Sequence, residues 1–297
     1  MAKSEALQRV INALGSLSSP PGVTWAQRRA GMEAMQKALR LPTDVGCDAD
    51  MAYGVPVEWI TTPDVDPDRV VFYLHGGGFT LGSIRTHRFL MQAVGRAAGA
   101  KVLGVDYRLA PEHPFPAAVE DSERAWKWLL EQGVEASRCA IAGDSAGGGL
   151  TLATLLKLRD EGLPLPSAAI GLSPWVDLSG SGDSFATKAG EDPLVTVELL
   201  RLMGEAYLGG AHPHTALASP LFADLAGLPP LLIQVGTAEI LLSDSTRLAE
   251  RAEAAGVAVT LETWEDMIHV FQAFPTLAES GQAIGRIGDF VRQHTAS

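Results

Sequence analysis

The stretch RCAIAGDSAGGGL, residues 138–150, decides the fold, because it joins an apolar run to a helical one through a serine between glycines. We predict a strand over Arg138–Ala142 and a helix over Ala146–Glu161. Between them, Gly143-Asp144-Ser145-Ala146-Gly147 fits the pattern G-x-S-x-G, whose sharp turn lifts a serine hydroxyl off the sheet edge. The same five residues also fit a tight turn without chemistry, so the interpretation depends on the rest of the chain.

Strand and helix patterns alternate on both sides of this turn. The alternation predicts the α/β class, with a mostly parallel central sheet flanked by helices on both faces. The other predicted strands are Val70–Leu74, Lys101–Val105, Ala168–Leu172, Leu231–Val235 and Val257–Thr263. The other predicted helices are Thr86–Ala98, Glu120–Gln132, about Val195–Leu208, around Ser243–Ala255, and Gly281–Gln293.

Two segments interrupt the alternation and suggest how the chain is organised. Residues 1–45 carry two helical patterns, the second from Thr24 to about Leu39, and are predicted to form an N-terminal helical cap or flank. Residues 46–297 form the main domain, in which about 180–225 is an insertion with one helix over the carboxyl edge of the sheet, where ligands bind. Candidates for an apolar wall there are Met32, Met35, Leu39 and Leu41, although ordinary helix packing accounts for them as well.

Composition excludes several classes of protein. The 297 residues are 46% hydrophobic and 20% charged, which suits a folded domain with a large core. A formal net charge of -12 without a basic run argues against nucleic acid as a partner. The absence of a signal-peptide pattern and of a long apolar run predicts a cytoplasmic protein without a membrane partner. Cys47 and Cys139 lie far apart, so neither a disulfide nor a metal site is predicted, and no cofactor motif appears.

A glycine-rich loop follows the first predicted strand of the alternation. His75-Gly76-Gly77-Gly78 lets backbone amides converge without side-chain interference, which predicts an oxyanion hole that the Ala146 amide completes at a helix N-terminus. The alternative is a phosphate-binding loop, but the Gly-Lys-Ser/Thr of a P-loop and the spacing G-x-G-x-x-G are both missing. His75 is interpreted as a structural hydrogen-bonding residue.

A late histidine supplies a base for the serine. His269 follows a predicted strand and precedes the last predicted helix, and the chain order serine, acid, histidine is that of one large hydrolase class. The acid should follow the strand Leu231–Val235, where Glu239 and Asp244 are both candidates. Asp244 also suits the first turn of a helix capped by Ser243, and Asp266, close to His269, also suits an exposed surface.

Taken together, these motifs resemble those of the bacterial hormone-sensitive-lipase-like esterases, from about residue 55 to the end. The resemblance rests on four runs: HGGGF at 75–79, DYRLAPEHPFPAA at 106–118, GDSAGG at 143–148 and SPWVDL at 173–178. It implies an α/β-hydrolase fold, with Ser145 as nucleophile, His269 as base, and the amides of Gly77, Gly78 and Ala146 as oxyanion hole, while Gly76 shapes the loop. Members of that family usually carry aspartate as the acid; Glu239 occupies that position here.

The resemblance further implies a serine carboxylesterase acting on short to medium acyl esters, with a cap over the acyl site and a homodimer through the last strands. A lactone hydrolase or an amidase would use the same three residues. A non-catalytic binding protein on the same fold is a further alternative, because glutamate replaces the usual aspartate. A metal hydrolase would have to use His212 and His214, which lack a third ligand in sequence.

Overall fold

The central feature is one sheet. A computed structural model describes residues 3–15, 22–36 and 40–295. Its eight strands are β1 Gly46–Ala52, β2 Val55–Thr61, β3 Asp66–Leu74, β4 Ala100–Val105, β5 Cys139–Asp144, β6 Ala168–Leu172, β7 Leu231–Gly236 and β8 Val259–Trp264. They lie in the order β1-β2-β4-β3-β5-β6-β7-β8. β2 runs antiparallel to both of its neighbours, and every other neighbouring pair is parallel.

Helices cover both faces of the sheet. Those of the described residues are α1 Glu5–Gly15, α2 Trp25–Gln36, α3 Ile84–Ala98, α4 Ala117–Glu131, α5 Ala146–Asp160, α6 Ser184–Thr187, α7 Val197–Leu208, α8 Leu242–Ala254 and α9 Ala278–His294. Short 3-10 turns lie at Ala136–Arg138, Pro220–Phe222 and Phe271–Ala273. None of the helices in these ranges combines the length and the apolar character needed to cross a bilayer.

The core explains why the central strands read as unbroken apolar runs. In β3, Phe72 and Leu74 point into one buried cluster, whereas Val71 and Tyr73 point into a second cluster on the opposite face. Side chains alternate between the faces of a strand, so a strand covered by helices on both sides must be apolar at every position. The α/β prediction is therefore confirmed, and each predicted strand overlaps an observed one.

The antiparallel hairpin β1–β2 is what the sequence interpretation missed. β1 reads GCDADMA and exposes most of its side chains, so the alternation of Cys47, Ala49 and Met51 with two aspartates does not mark a buried face. Among the strands of the described residues it pairs with β2 alone, from Gly46 opposite Thr61 to Ala52 opposite Val55. An exposed, acidic edge strand is held by backbone pairing and leaves little hydrophobic signal in the sequence.

Three local expectations were wrong. Ser243 is not a helix cap: α8 begins after Leu241 without a side-chain cap, and the Ser243 hydroxyl accepts from the Ser184 amide. The insertion holds the short α6 in addition to α7, instead of a single helix. α3 begins before Thr86, because Ser83 and Thr86 form a reciprocal capping box.

The N-terminal helices attach to three loops at the same edge of the sheet. Leu7 and Leu14 of α1 pack in a small cluster with Met267 and Ile268. On α2, the Arg29 guanidinium donates to the carbonyls of Thr80 and Ala110 and pairs with both oxygens of Glu112. Of the four apolar candidates, Met32 and Leu41 are half-buried, Met35 is exposed, and Leu39 lies outside the described residues. The cap and its apolar wall stay predictions.

Candidate active site

The serine at residue 145 lies at a strained turn. β5 ends at Asp144 and α5 begins at Ala146, so Ser145 alone makes the corner, with φ 54° and ψ -121°. Its amide donates to the Leu172 carbonyl and its carbonyl accepts from the Trp175 amide. This corner needs Gly143 and Gly147, because a Cβ on either would lie within 2.3 Å of a backbone carbonyl oxygen. The turn therefore holds the serine hydroxyl at the carboxyl edge of the sheet.

Ser145, His269 and Glu239 form a continuous hydrogen-bonded chain. His269 Nε2 lies 2.9 Å from Ser145 Oγ, and His269 Nδ1 lies 3.0 Å from Glu239 Oε2. Glu239 and His269 are both buried, at 0% and 3% exposure. The three come from the ends of β5, β7 and β8, which meet at one edge because those strands are parallel. This arrangement suits proton transfer between a hydroxyl and an oriented imidazole.

Burial and charge have opposite effects on the pKa values of His269 and Glu239. Burial by itself would lower the pKa of His269, but the hydrogen bond and the charge of Glu239 outweigh it, and the pKa of His269 is raised. Burial raises the pKa of Glu239, and its hydrogen bonds to His269 and to the Gly236 amide offset part of that rise. An imidazolium at His269 is thus stabilised by a neighbouring carboxylate that water does not screen.

The glycine loop lies directly against the serine turn. A Cβ on Gly147 would lie 2.0 Å from the Leu74 carbonyl oxygen and 2.6 Å from that of His75. Gly77 and Gly78 have φ of 121° and 62°, backbone conformations that side chains disfavour. The Gly77 carbonyl accepts from the amides of Thr80 and Leu81, so the turn's hydrogen bonds use a carbonyl and not the two glycine amides.

A buried carboxylate anchors this loop from below. Asp144 Oδ1 accepts from the Gly76 amide at 3.1 Å and from the Tyr73 hydroxyl at 2.9 Å, and Asp144 Oδ2 lies 3.4 Å from His87 Nε2. Burial would raise the pKa of Asp144, but His87 and Tyr73 outweigh it and lower that pKa. An ionised Asp144 therefore connects the serine turn to the glycine loop.

The insertion helix closes the outer side of the same loop. Met203 of α7 lies so close to Gly78 that a Cβ there would be 2.1 Å from its sulfur. Tyr207, one turn further along α7, stacks on Phe79 with ring centroids 3.7 Å apart. The loop is thus fixed between the sheet and the insertion.

The other acid candidates lie elsewhere. Asp244 is buried, and its Oδ2 accepts from the amides of Val176 and Asp177. Burial, followed by the charge of Asp177, raises the pKa of Asp244 to about 7. Asp266 has its own amide bound to Thr237 Oγ1, whereas the Nδ1 of His269 is taken by Glu239.

The remaining histidine candidates have structural partners. His75 is buried, its Nδ1 contacts the Gly76 carbonyl, and its ring stacks on Tyr107. Burial, followed by the charge of His87, lowers the pKa of His75 to about 3, so it is neutral. His212 Nδ1 accepts from the His214 amide, and across the described ranges no three His, Cys, Asp or Glu residues gather as a metal site would require.

Two residues that lie next to the hydrogen-bonded residues Ser145, His269 and Glu239 are not predicted from the sequence. Ser173 belongs to the SPWVDL run, and its hydroxyl contacts Glu239. Asp192 of the insertion accepts from the Ile240 amide, next to Glu239. Both contacts join segments distant in sequence, so no local pattern points to them.

Known proteins share this architecture. A profile of the α/β-hydrolase fold family matches residues 71–273. The chain is 49% identical to an acetyl-hydrolase of Streptomyces hygroscopicus over 239 residues, which are 80% of each protein. It is 40% identical to an esterase of Acinetobacter venetianus over 224 residues, covering 75% of this chain and 74% of that one. A solved esterase of the bacterial hormone-sensitive lipase family shares 50% identity and a TM-score of 0.97 over 100% of both chains.

Proposed function

The chain belongs to the bacterial hormone-sensitive lipase family of α/β hydrolases and is a carboxylic ester hydrolase, and from this premise we propose a serine mechanism at Ser145 for short to medium acyl esters. The observation that carries the proposal is the chain from Ser145 Oγ through His269 to Glu239, with contacts of 2.9 and 3.0 Å. The contact of Ser145 with His269 is within the reach that proton transfer requires, and that of His269 with Glu239 is within hydrogen-bond reach.

The cycle begins when Ser145 Oγ attacks the ester carbonyl carbon while its proton passes to His269 Nε2. The carbonyl oxygen becomes an oxyanion, held by the amides of Gly77, Gly78 and Ala146. His269 then returns the proton to the leaving alcohol, and the acyl group stays on Ser145. Water, deprotonated by His269, attacks the acyl-enzyme carbonyl; the bond to Ser145 Oγ breaks, His269 passes the proton to Oγ, and the acid is released. Glu239 holds the imidazole by Nδ1 and stabilises its charged form in both halves.

The preference for short and medium acyl chains is supported by the crowding around the glycine loop. Met203 touches Gly78, and the stack of Phe79 on Tyr207 fills the adjoining volume. An acyl chain that extends past the glycine loop toward α7 would have to displace these buried side chains, which packing at interior density opposes.

The test is hydrolysis of p-nitrophenyl esters from acetate to palmitate by the wild type and by Ser145→Ala. We expect a rate that is highest at short to medium chains and that falls by about a thousandfold or more in Ser145→Ala. Ser280→Ala removes another buried hydroxyl, on α9, and serves as the control.

A fluorophosphonate probe separates catalysis from binding alone. It should add its mass to the peptide that contains Ser145 in the wild type and not in Ser145→Ala. Ester turnover that persists in Ser145→Ala, or labelling at another residue, would overturn the proposal.

A further inference from the structure

We propose that Ser173 is a positioning residue whose hydroxyl fixes Glu239 and the His269 loop relative to each other. The proposal rests on the proposed function, because it assigns Ser173 a role through the same chain of residues. The sequence motif SPWVDL does not predict this role. Ser173 directly follows β6 and is not itself one of the three residues Ser145, His269 and Glu239.

The first contact is with the carboxylate. Ser173 Oγ lies 2.8 Å from Glu239 Oε1, which also accepts from the Gly236 amide. Glu239 Oε2 is then left to face His269 Nδ1 at 3.0 Å. Because one oxygen is held by two donors, the carboxyl group cannot rotate without losing them. Glutamate has one more rotatable bond than aspartate, so this restraint matters more here than for the shorter acid.

The second contact is with the histidine loop. The Val270 amide donates to Ser173 Oγ at 3.1 Å, directly after His269 in the chain. Val270 has φ 49°, a conformation that a β-branched residue rarely adopts, so this amide contact holds a strained turn. The Ser173 hydroxyl therefore makes both contacts: one to the carboxylate of Glu239, and one to the Val270 amide in the loop that carries His269.

The direction of these hydrogen bonds follows from chemistry. A backbone N–H only donates, so the hydroxyl accepts from Val270 and its own proton is free to be donated to Glu239. The Gly236 amide donates to the same carboxylate oxygen. Donors on Oε1 favour the ionised form of Glu239, which is the form that stabilises an imidazolium.

Ser173 is itself rigidly placed. Its amide donates to the Gln234 carbonyl of β7 at 2.7 Å, its side chain is fully buried, and its φ is 47°. The next residue, Pro174, packs against Gly148 of α5, where a Cβ would lie 2.8 Å from the proline ring. The Ser173 hydroxyl therefore projects from a fixed backbone in a site that excludes water.

The test is steady-state kinetics of Ser173→Ala on p-nitrophenyl butyrate. We expect kcat to fall by about 10- to 100-fold with KM nearly unchanged, because a loosened imidazole lowers the rate of proton transfer and not substrate binding. Ser173→Gly loses the same hydroxyl but relaxes the positive φ, so it should fold at least as well and lose as much activity. Ser280→Ala should keep its activity.

A double-mutant cycle separates positioning from a general structural role. Adding Ser173→Ala to Glu239→Gln should lower kcat by less than about threefold further, because the effect of Ser173 passes through Glu239. Multiplicative losses, or a loss no larger than that of Ser280→Ala, would overturn this role for Ser173 while leaving the proposed function intact. Turnover unaffected by Ser145→Ala would instead remove the proposed function itself.

Discussion

Glu239 and His269 are joined by a hydrogen bond of 3.0 Å that is shielded from solvent. The second acid candidate, Asp244, instead accepts from two backbone amides and contacts neither His269 nor Ser145. The acid of the mechanism can therefore be tested by two conservative substitutions that each replace one carboxyl group with an amide. Glu239→Gln changes the partner of the imidazole, and Asp244→Asn leaves that partner in place.

We expect Glu239→Gln to lower kcat by about a thousandfold or more, because an amide NH₂ facing Nδ1 favours the tautomer whose Nε2 carries the proton and cannot accept one from Ser145. Asp244→Asn should stay within about twofold of the wild type, since it touches neither residue. Both are measured with p-nitrophenyl butyrate after circular dichroism has shown that each variant is folded. A severe loss in Asp244→Asn together with a mild one in Glu239→Gln would reverse the assignment.

The sequence was most informative where the signal is local. The turn at Ser145 reads as strand, glycine, serine, glycine and helix within a few consecutive residues, and the order of Ser145, Glu239 and His269 follows the order of the strands. The contacts of Ser173 span 66 residues to Glu239 and 97 to Val270. They exist because β6 lies beside β7 in the sheet, and strand order is a property of the whole fold.

The choice between Glu239 and Asp244 shows the same limit. Both follow β7 closely, so spacing alone leaves them open. What separates them is the direction of α8, which buries Asp244 beside Asp177 and Arg247. A helix start with an acidic residue looks the same in sequence whether it faces solvent or a buried carboxylate.

The acid side of the pH profile should report His269. Its pKa is raised above the usual value, mainly because the hydrogen bond and charge of Glu239 outweigh its burial, and Asp192 and Asp144 add to the rise. His269 accepts a proton only when neutral, so kcat/KM should fall as the pH drops through this raised pKa. Removing one of the surrounding negative charges should move that fall to lower pH.

Asp192→Asn is the variant for that measurement, because its Oδ1 can still accept from the amides of Leu194 and Val195, although the bond from the Ile240 amide to Oδ2 is lost. The expected result is an acid limb of kcat/KM displaced to lower pH than in the wild type. Asp224→Asn, in an exposed turn where Oδ1 accepts from Ala226, should leave the limb in place. Identical limbs in all three proteins would contradict a charge effect of Asp192 on His269.

Asp244 should make the fold less stable as the pH rises. Its pKa of about 7 in the fold lies above the ordinary value of 3.8, so the folded state holds this proton more tightly than the unfolded chain. The stabilisation is complete below the unfolded pKa and is lost as the pH rises to about 7, by an amount on the order of a few kcal/mol. Urea unfolding at pH 5 and pH 8 measures it.

Asp244→Asn lacks this titration. Its free energy of unfolding should therefore fall less between pH 5 and pH 8 than that of the wild type. Asp224→Asn serves again as the exposed control and should keep the wild-type difference. If Asp244→Asn also keeps it, Asp244 is already ionised in the fold at pH 5.

Gly76 should be irreplaceable, in contrast to a glycine with open space around it. A Cβ on Gly76 would lie 2.1 Å from Asp144 Oδ2 and 2.9 Å from the Asp144 carbonyl oxygen, so it would push the glycine loop away from the serine turn. We expect Gly76→Ala to lower kcat at least about tenfold and to cost about 1–3 kcal/mol of stability. Outside the α9 backbone and the neighbouring residues, no described atom lies within 4 Å of a carbon added at Gly285, so Gly285→Ala should leave kcat unchanged and stabilise the fold by about 0.5–1 kcal/mol. Kinetics and urea unfolding of the pair decide the matter: a Gly76→Ala enzyme with normal turnover would mean that the loop tolerates displacement, and the contact between Asp144 and Gly76 would then not hold the amides in place.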